Sequence, residues 1–165
     1  MKRIKLSKRL KALVDYIDDG AAVADIGTDH GFLPVYLAQT DSVKRVFATD
    51  ISSDSLSSAR RTAHAADLTD AITFIVANGL DRIAPADVDT VVIAGMGGET
   101  ILNILKDAIW TKHHDVKLIL QPQSKIDILC RFLYNNEYSI IETKSVIDRG
   151  KSYTIIVAGS RGVNK

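Results

Sequence analysis

Residues 23–34, VADIGTDHGFLP, combine acidic side chains with glycines in one short stretch. An apolar run ends at Asp25 and Ile26, and Gly27 and Gly31 bracket a turn before the next apolar segment. Glycine allows bare backbone to approach a ligand, and a helix N-terminus that follows a strand is a frequent ligand site. The stretch therefore predicts a ligand-binding turn between a strand and a helix.

Three more segments with suitable chemistry follow apolar runs. Asp50 ends the second run, Asn78 and Gly79 follow the third, and AGMGG at residues 94–98 follows the fourth. Ligands of open α/β sheets bind beyond the carboxyl ends of the strands. We therefore expect all four segments to face one crevice.

The side chains of these segments discriminate between nucleotide-like cofactors. A carboxylate at Asp50 can accept both hydroxyls of a ribose. A nicotinamide dinucleotide prefers the spacing G-x-G-x-x-G, but Asp29 and Phe32 occupy its second and third glycine positions. An aspartate there would repel a pyrophosphate, whereas S-adenosylmethionine carries a sulfonium, an amino-acid tail and no phosphate. Asp25 and Asp29 thus favour a methyl donor.

Composition is that of an ordinary globular protein, with 46% hydrophobic and 25% charged residues in 165. No apolar run approaches the about 20 residues of a membrane span, and no signal-like core is present. With Cys130 as its single cysteine, the chain is expected to be cytoplasmic, with no membrane contact.

Basic residues are concentrated at the N-terminus, where six Lys and Arg fall within the first eleven positions. They alternate with apolar residues at roughly helical spacing, which predicts a basic amphipathic helix within residues 1–20. A solvated surface and a nucleic-acid contact both fit this pattern.

The remaining chain alternates strand and helix patterns, which predicts one doubly wound α/β domain over residues 1–165, with its sheet and helices within 21–160. A closing antiparallel hairpin is expected at its end. The predicted strands are Ala22–Ile26, Arg45–Thr49, Ile72–Val76, Thr90–Ala94, Lys117–Leu120, Tyr138–Val146 and Tyr153–Ala158; the predicted helices are Leu33–Gln39, Ser52–Ala66, Glu99–Ala108 and Ser124–Asn135.

Six motifs, in order along almost the whole chain, carry a family resemblance. They are LSKRLKALVDYI (6–17), DIGTDHGFLP (25–34), ATDIS (48–52), ANGLD (77–81), IAGMGG (93–98) and LILQPQ (118–123). The chain resembles the bacterial tRNA (adenine(22)-N1)-methyltransferase family. The resemblance implies a Rossmann-like seven-stranded methyltransferase fold, S-adenosylmethionine as donor, tRNA as partner and an adenine N1 as acceptor. Family members continue into a helical domain, so we expect a methyltransferase domain without it.

Methyl transfer to a ring nitrogen needs positioning more than acid–base chemistry, because adenine N1 already carries a lone pair. The product base becomes positively charged, so a nearby carboxylate stabilises the transition state. Asp29 is the first candidate, with a loop-bracing or helix-capping role as its alternative. Met96 and Gly97 are expected beside the transferred methyl group.

The other candidate site residues follow from position. The donor's ammonium is assigned to Asp25, directly or through water, with hydrogen bonding to the amides of the turn as the alternative role of this residue. The ribose is assigned to Asp50 and the adenine to Ile51, Asn78 and Gly79. The methionine pocket is assigned to Gly27, Thr28 and Gly31, and the loop beside the methyl group includes Gly95.

Other functions stay open at the sequence level. They are methylation of another RNA or of a small molecule, nicotinamide-dependent oxidoreduction, and non-catalytic RNA binding. His113 and His114 lack a third ligand at metal spacing, so no metal is expected. A monomer or weak homodimer is expected.

Overall fold

The computed structural model describes residues 2–161, which form a seven-stranded sheet with helices on both faces. The strands are β1 (Ala22–Ile26), β2 (Arg45–Asp50), β3 (Thr73–Val76), β4 (Thr90–Met96), β5 (Lys117–Pro122), β6 (Tyr138–Asp148) and β7 (Lys151–Ser160). The α-helices are α1 (Lys8–Val14), α2 (Phe32–Thr40), α3 (Ser53–Ala65), α4 (Gly98–Asp107) and α5 (Ile126–Asn135), and 3₁₀ turns lie at Thr69–Ala71, Pro85–Asp87 and Ile109–Lys112.

The strand order is β3-β2-β1-β4-β5-β7-β6. Strands β1 to β5 are parallel, whereas β7 runs antiparallel to both β5 and β6. The predicted doubly wound fold with a closing antiparallel hairpin is confirmed. The order changes direction between β1 and β4, and ligands of such sheets bind beside that point.

Two apolar clusters cover the two faces of the sheet. Along β4, Val91 and Ile93 join the cluster beneath α4 and α5, while Val92 joins the cluster beneath α1, α2 and α3. Strands β1 and β5 alternate in the same way, which explains their continuous apolar runs. Burial on both faces fixes where each parallel strand ends and so where its following loop stands.

The N-terminal helix is much shorter than the expected helix within residues 1–20. Ser7 caps α1, because its Oγ accepts a hydrogen bond from the Leu10 amide at 3.3 Å. Residues 2–7 are not helical, and tertiary contacts bind the backbone of Lys2 and Ile4 instead. Ile4 exchanges two hydrogen bonds with the Gln39 side chain, and the Lys2 amide donates to the Ala65 carbonyl.

The closing hairpin is longer than predicted. Residues 147–152 were expected to be a loop, but the connection is the two-residue turn Arg149–Gly150. Both residues have positive φ, 51° and 79°, which matches the type I′ turn favoured in two-residue hairpins. The strands therefore pair as far as Asp148 and Lys151.

Helix starts agree with the sequence at one position and differ at another. The helix predicted over Ser52–Ala66 is α3, which Ser52 caps by accepting from the Ser55 amide at 3.2 Å. Ser124 does not begin α5, which starts at Ile126 after Lys125 in a left-handed conformation. The Ser124 carbonyl instead accepts from the Gly98 amide at 2.8 Å, so this loop holds the start of α4.

None of the helices in the described part of the chain is long and apolar enough to cross a membrane.

Candidate active site at the carboxyl ends of the strands

Two adjacent cavities of about 280 Å³ each lie at the carboxyl ends of the parallel strands. The first, here the β2–β3 cavity, is lined by Gly27, Asp50, Ile51, Asn78, Gly79 and Met96, and by Thr100, Asn103 and Asp107 of α4. The second, here the α1 cavity, is lined by Asp25, Gly27, Thr28, Asp29, Gly95, Arg9 and Gln123. All four predicted segments therefore contribute to one region, and Gly27 belongs to both cavities.

Asp50 ties the end of β2 to the turn after β1. Its Oδ2 accepts from the Asp29 amide and its Oδ1 from the Ser52 amide, each at 3.0 Å. Two backbone donors thus fix the orientation of a carboxylate that borders the β2–β3 cavity. Each carboxylate oxygen has a second lone pair, so the group can still accept hydroxyl hydrogen bonds from a ligand.

Asp25 is a buried acid at the base of the α1 cavity, with 6% of its surface exposed. Burial raises the pKa of Asp25 to about 7; the Thr28 hydrogen bond at 2.9 Å and the charge of Arg9 oppose this rise, and the charge of Asp50 adds to it. Near neutral pH the carboxyl exists in both protonation states. A positively charged ligand group beside it would favour the ionised form.

Gly27 stands at the junction of the two cavities. Its φ is 73°, and the amides of Gly27 and Thr28 both donate to the Thr49 carbonyl at 2.9 Å. A Cβ at this position would come within 2.2 Å of the Met96 Cε atom. The Met96 side chain therefore lies directly against the bare backbone of the turn; the positive φ favours glycine, and a Cβ would displace the end of the Met96 side chain.

Asp29 and His30 lie on the solvent side of the α1 cavity. The Asp29 side chain is 68% exposed, and its Oδ2 lies 3.8 Å from His30 Nε2. His30 Nδ1 lies 2.9 Å from Ser58 Oγ on α3, which braces the imidazole against the helix. The φ of Asp29 is 54°, a left-handed conformation that aspartate tolerates better than most residues.

Three predicted glycines have different surroundings. Gly95 has a φ of 76° and lines the α1 cavity, where β4 and β5 shift register. Gly31 lines neither cavity and lies against α3 instead. A Cβ on it would lie 2.8 Å from the Ala59 Cβ of that helix. Gly97 also lines neither; it precedes α4, with Ser124 Oγ 3.0 Å from the position of its missing Cβ. The glycine pattern does not separate close approach to a ligand from close approach to a neighbouring helix or loop.

Arg9 is a site residue that sequence reasoning missed. Its Nη1 donates to Gln121 Oε1 at 2.6 Å, and its guanidinium lies 5.4 Å from the centre of the Tyr153 ring. The Arg9 side chain thereby reaches from α1 over the end of β5 and into the α1 cavity. One signal was available: Gln121 is a polar residue in the apolar run LILQP and is fully buried, so it needs a polar partner.

The α4 residues Thr100, Asn103 and Asp107 were also missed. They lie on one side of an amphipathic helix and close the β2–β3 cavity. Their sequence pattern is that of a solvated helix face, so nothing in the sequence distinguishes them from ordinary surface residues. Within residues 2–161, no group of three or more His, Cys, Asp or Glu side chains is arranged to hold a metal ion.

The two cavities suit the two halves of a nucleoside-containing amino acid. The β2–β3 cavity offers a fixed carboxylate at Asp50, the amide of Asn78 and the Ile51 side chain, which is 71% exposed. The α1 cavity offers the buried acid Asp25 next to backbone freed by Gly27. Asp25, Asp29 and Asp50 surround the turn together with Arg9, so acids outnumber cations there, which is unfavourable for a pyrophosphate.

Comparison with known proteins agrees with this geometry. The profile of the family described as "Methyltransferase domain" matches residues 6–156. The tRNA (adenine(22)-N(1))-methyltransferase of Bacillus subtilis strain 168 is 35% identical over 161 residues, which cover 96% of this chain and 66% of that protein. The crystal structure of the B. subtilis M1A22 tRNA methyltransferase TrmK superposes with a TM-score of 0.90 at 34% identity, covering 96% of this chain and 68% of that one.

The chain belongs to the tRNA (adenine(22)-N1)-methyltransferase family. The resemblance seen in the sequence motifs is thus confirmed.

Two more structures similar to this family member were solved with ligands. Streptococcus pneumoniae Sp1610 in complex with S-adenosyl-L-methionine has a TM-score of 0.89 at 32% identity, covering 94% of this chain and 73% of that one. M. capricolum TrmK in complex with S-adenosyl-homocysteine has a TM-score of 0.82 at 31% identity, covering 94% of this chain and 69% of that one. The chain spans slightly less than two thirds of the B. subtilis curated relative.

Proposed function

We propose that this chain is an S-adenosylmethionine-dependent methyltransferase that methylates N1 of an adenine in tRNA, at position 22 as in the relatives so named. The observation that carries the proposal is the junction at Gly27. There a cavity bordered by the Asp50 carboxylate meets a cavity built on the buried acid Asp25. A nucleoside and an amino-acid tail that carries an ammonium group, joined at one sulfonium sulfur, fit such a pair of cavities.

The β2–β3 cavity is the proposed adenosine site. Asp50 would accept hydrogen bonds from the ribose hydroxyls, and Ile51 would pack on the adenine. Asn78 and Gly79 would contact the edge of the base. This assignment is supported by their shared position around one cavity and by the fixed orientation of Asp50.

The α1 cavity is the proposed site of the amino-acid tail. Asp25 would bind its ammonium, directly or through water, and Gly27 and Thr28 would shape the pocket. When bound, S-adenosylmethionine supplies an electrophilic methyl group on a sulfonium. In this proposal Met96 and Gly95 border the reacting region from the end of β4, with Gly97 behind them.

The chain's own chemical contribution is positioning and charge stabilisation. No residue has to remove a proton from adenine N1, because its lone pair is already available. Asp29 is the proposed group that stabilises the positive charge developing on the base, since its carboxylate is exposed at the rim of the α1 cavity. Its alternative role is structural, because its amide donates to Asp50.

The proposed acceptor is tRNA rather than a small molecule. The names of the relatives and the concentration of Lys and Arg in residues 2–11 support an RNA partner. We further propose that the protein acts in the cytoplasm as a monomer or weak homodimer.

The proposal is tested by incubating the chain with an unmodified tRNA transcript and isotopically labelled S-adenosylmethionine, followed by nucleoside mass spectrometry. We expect labelled 1-methyladenosine. Label in another nucleoside would overturn the acceptor assignment, and no label in any nucleoside would overturn the activity. Calorimetry with S-adenosylmethionine and with NAD separately tests the donor site, and preference for NAD would reject it.

A further inference from the structure

A third cavity lies next to the proposed site, between the N-terminal segment and the tip of the β6–β7 hairpin. This space, here the hairpin groove, has a volume of about 500 Å³ and is bordered by Lys5, Arg9, Phe32, Asp148, Arg149 and Tyr153. Arg9 and Phe32 also line the α1 cavity. The groove therefore leads directly into the region where methyl transfer is proposed.

The groove is positively charged. Lys5 and Arg149 are exposed, and neither takes part in the ion pairs found within residues 2–161. Asp148 is the acid among the bordering residues, and its Oδ2 accepts from the Arg9 amide at 3.2 Å. The charges of Lys5 and Arg149 therefore border the groove, and no carboxylate that lines it neutralises them by direct contact.

The groove also presents an aromatic ring at its junction with the α1 cavity. Phe32 is the first residue of α2 and is 44% exposed, which is high for a phenylalanine. Its ring centre lies 5.6 Å from that of His30. An exposed aromatic ring beside cations is the combination that binds a nucleic-acid strand, because bases stack on the ring and phosphates pair with the cations.

Both walls of the groove are held in place. The hydrogen bond from the Arg9 amide fixes Asp148 at the hairpin tip to the first turn of α1, and the Arg9 guanidinium lies over Tyr153 of β7. The type I′ turn then sets the position of Arg149 directly after Asp148. A preformed groove avoids much of the ordering cost of binding.

We propose that the hairpin groove binds the stretch of the RNA substrate that flanks the methylated base. Phe32 stacks on a base at the entrance to the α1 cavity, and Lys5 and Arg149 bind the neighbouring phosphates. This inference rests on the proposed function, which makes RNA the substrate. It adds the surface and the residues that select an RNA strand over a small-molecule acceptor.

The test compares the double variant Lys5→Ala/Arg149→Ala with the matched control Arg61→Ala/Arg131→Ala, which removes two exposed charges on α3 and α5. Affinity for a fluorescein-labelled tRNA transcript is measured by anisotropy at several salt concentrations. We expect the groove variant to bind about tenfold more weakly and to lower the salt slope by about 1 to 2, with the control within about twofold of the unaltered chain. Equal losses in both double variants would overturn the proposal.

The stacking role is tested by Phe32→Leu, with Phe32→Tyr as the variant that keeps an aromatic ring. We expect Phe32→Leu to weaken tRNA binding about tenfold and Phe32→Tyr to restore it, with both affinities measured in the absence of S-adenosylmethionine, because Phe32 also lines the α1 cavity. Equal affinity of Phe32→Leu and the unaltered chain for tRNA would overturn the stacking role. Groove-dependent tRNA binding without any methyl transfer would reject the proposed function and leave the groove intact.

Discussion

The three acids of the site differ in surroundings, and so we expect them to differ in task. Asp25 is buried and its pKa is raised, Asp50 is oriented by two amides, and the Asp29 side chain is exposed. The turn after β1 and the end of β2 thus bring three different carboxyl groups together. That of Asp25 titrates near neutral pH, that of Asp50 is a hydrogen-bond acceptor in a fixed orientation, and that of Asp29 faces solvent. Each can be tested separately.

Donor binding should release protons from Asp25. With its pKa near 7, this carboxyl is about half protonated at neutral pH, and a cationic ligand favours the ionised form. Calorimetry at pH 7 in buffers of different ionisation enthalpy should show more proton release for the unaltered chain than for Asp25→Asn, by up to about half a proton. Identical buffer dependence of the two proteins would contradict this role.

Asp25 should also make the ligand-free protein less stable as pH rises. Its carboxyl has a pKa of about 7 when folded and an ordinary value of 3.8. Between these pH values the Asp25 carboxyl is ionised in the unfolded chain but keeps its proton in the folded one. The contribution of Asp25 to the free energy of unfolding is therefore highest at low pH and decreases progressively up to about pH 7. Relative to Asp25→Asn, the free energy of unfolding should fall by as much as about 4 kcal/mol over this range. Denaturant titrations at several pH values measure it, and a constant difference between the two proteins would refute it.

Removing the Asp50 carboxylate should weaken donor binding. Asp50→Ala loses the proposed acceptor of the ribose hydroxyls and the contacts that fix the Asp29 amide. We expect a loss of about 1 to 3 kcal/mol in S-adenosylmethionine affinity by calorimetry. Asp54→Ala, which removes an exposed acid from the first turn of α3, serves as the control. Unchanged affinity in Asp50→Ala would exclude Asp50 from the site.

The charge of Asp29 should matter for turnover more than for donor affinity. Asp29→Asn keeps a side chain that tolerates the φ of 54° and removes only the charge. If the carboxylate stabilises the cationic base, kcat should fall about tenfold or more while donor affinity changes little. A kcat equal to that of the unaltered chain would assign Asp29 a structural role.

At the scale of the elements, alanine substitutions at two glycines distinguish the cost of backbone strain from the cost of a steric clash. Gly20 and Gly31 have φ values of 79° and 74°, but a Cβ on Gly20 would meet nothing within 4 Å, whereas one on Gly31 would meet Ala59. Gly31→Ala should therefore destabilise the protein by about 1 to 3 kcal/mol more than Gly20→Ala. Denaturant unfolding compares them. Similar losses would mean that the contact between the start of α2 and α3 is not tight.

The sequence predicts best those elements whose position is set by the burial of apolar residues. Strands β1, β4 and β5 have apolar centres because both their faces are covered, and polar or small residues mark their carboxyl ends. Because β2 and β3 run parallel to β1 and β4, the sequence also predicts that Gly27, Asp50, Asn78 and Gly95 lie around one crevice. Position along a parallel strand sufficed for these residues.

The elements that the sequence predicts poorly depend on contacts between distant parts of the chain. The apolar spacing continues through Ile4, yet residues 2–7 are not helical, and Gln39 binds the Ile4 backbone instead. Arg9 looked like one of several surface cations, and only the fold brings it to Gln121, 112 positions away. The two-residue turn at Arg149 likewise follows from pairing of the whole hairpin.

At the scale of the whole molecule, a net charge of +1 conceals an uneven distribution. Acids cluster in the turn after β1, where a cationic donor group is proposed, and cations border the groove that leads away from it. We therefore propose that the carboxyl edge of the sheet holds the donor and that the adjoining groove holds the RNA. The acids thus lie where the positively charged donor is proposed to bind, and the cations lie where the negatively charged RNA is proposed to bind.

The most direct test of this account is site-specific methylation of a tRNA transcript that has adenine at position 22, compared with the same transcript carrying guanine there. Labelled S-adenosylmethionine supplies the methyl group, and nucleoside mass spectrometry with primer extension locates it. We expect 1-methyladenosine at position 22 of the first transcript and no label in the second. Equal labelling of both transcripts, or labelling of neither, would contradict the account.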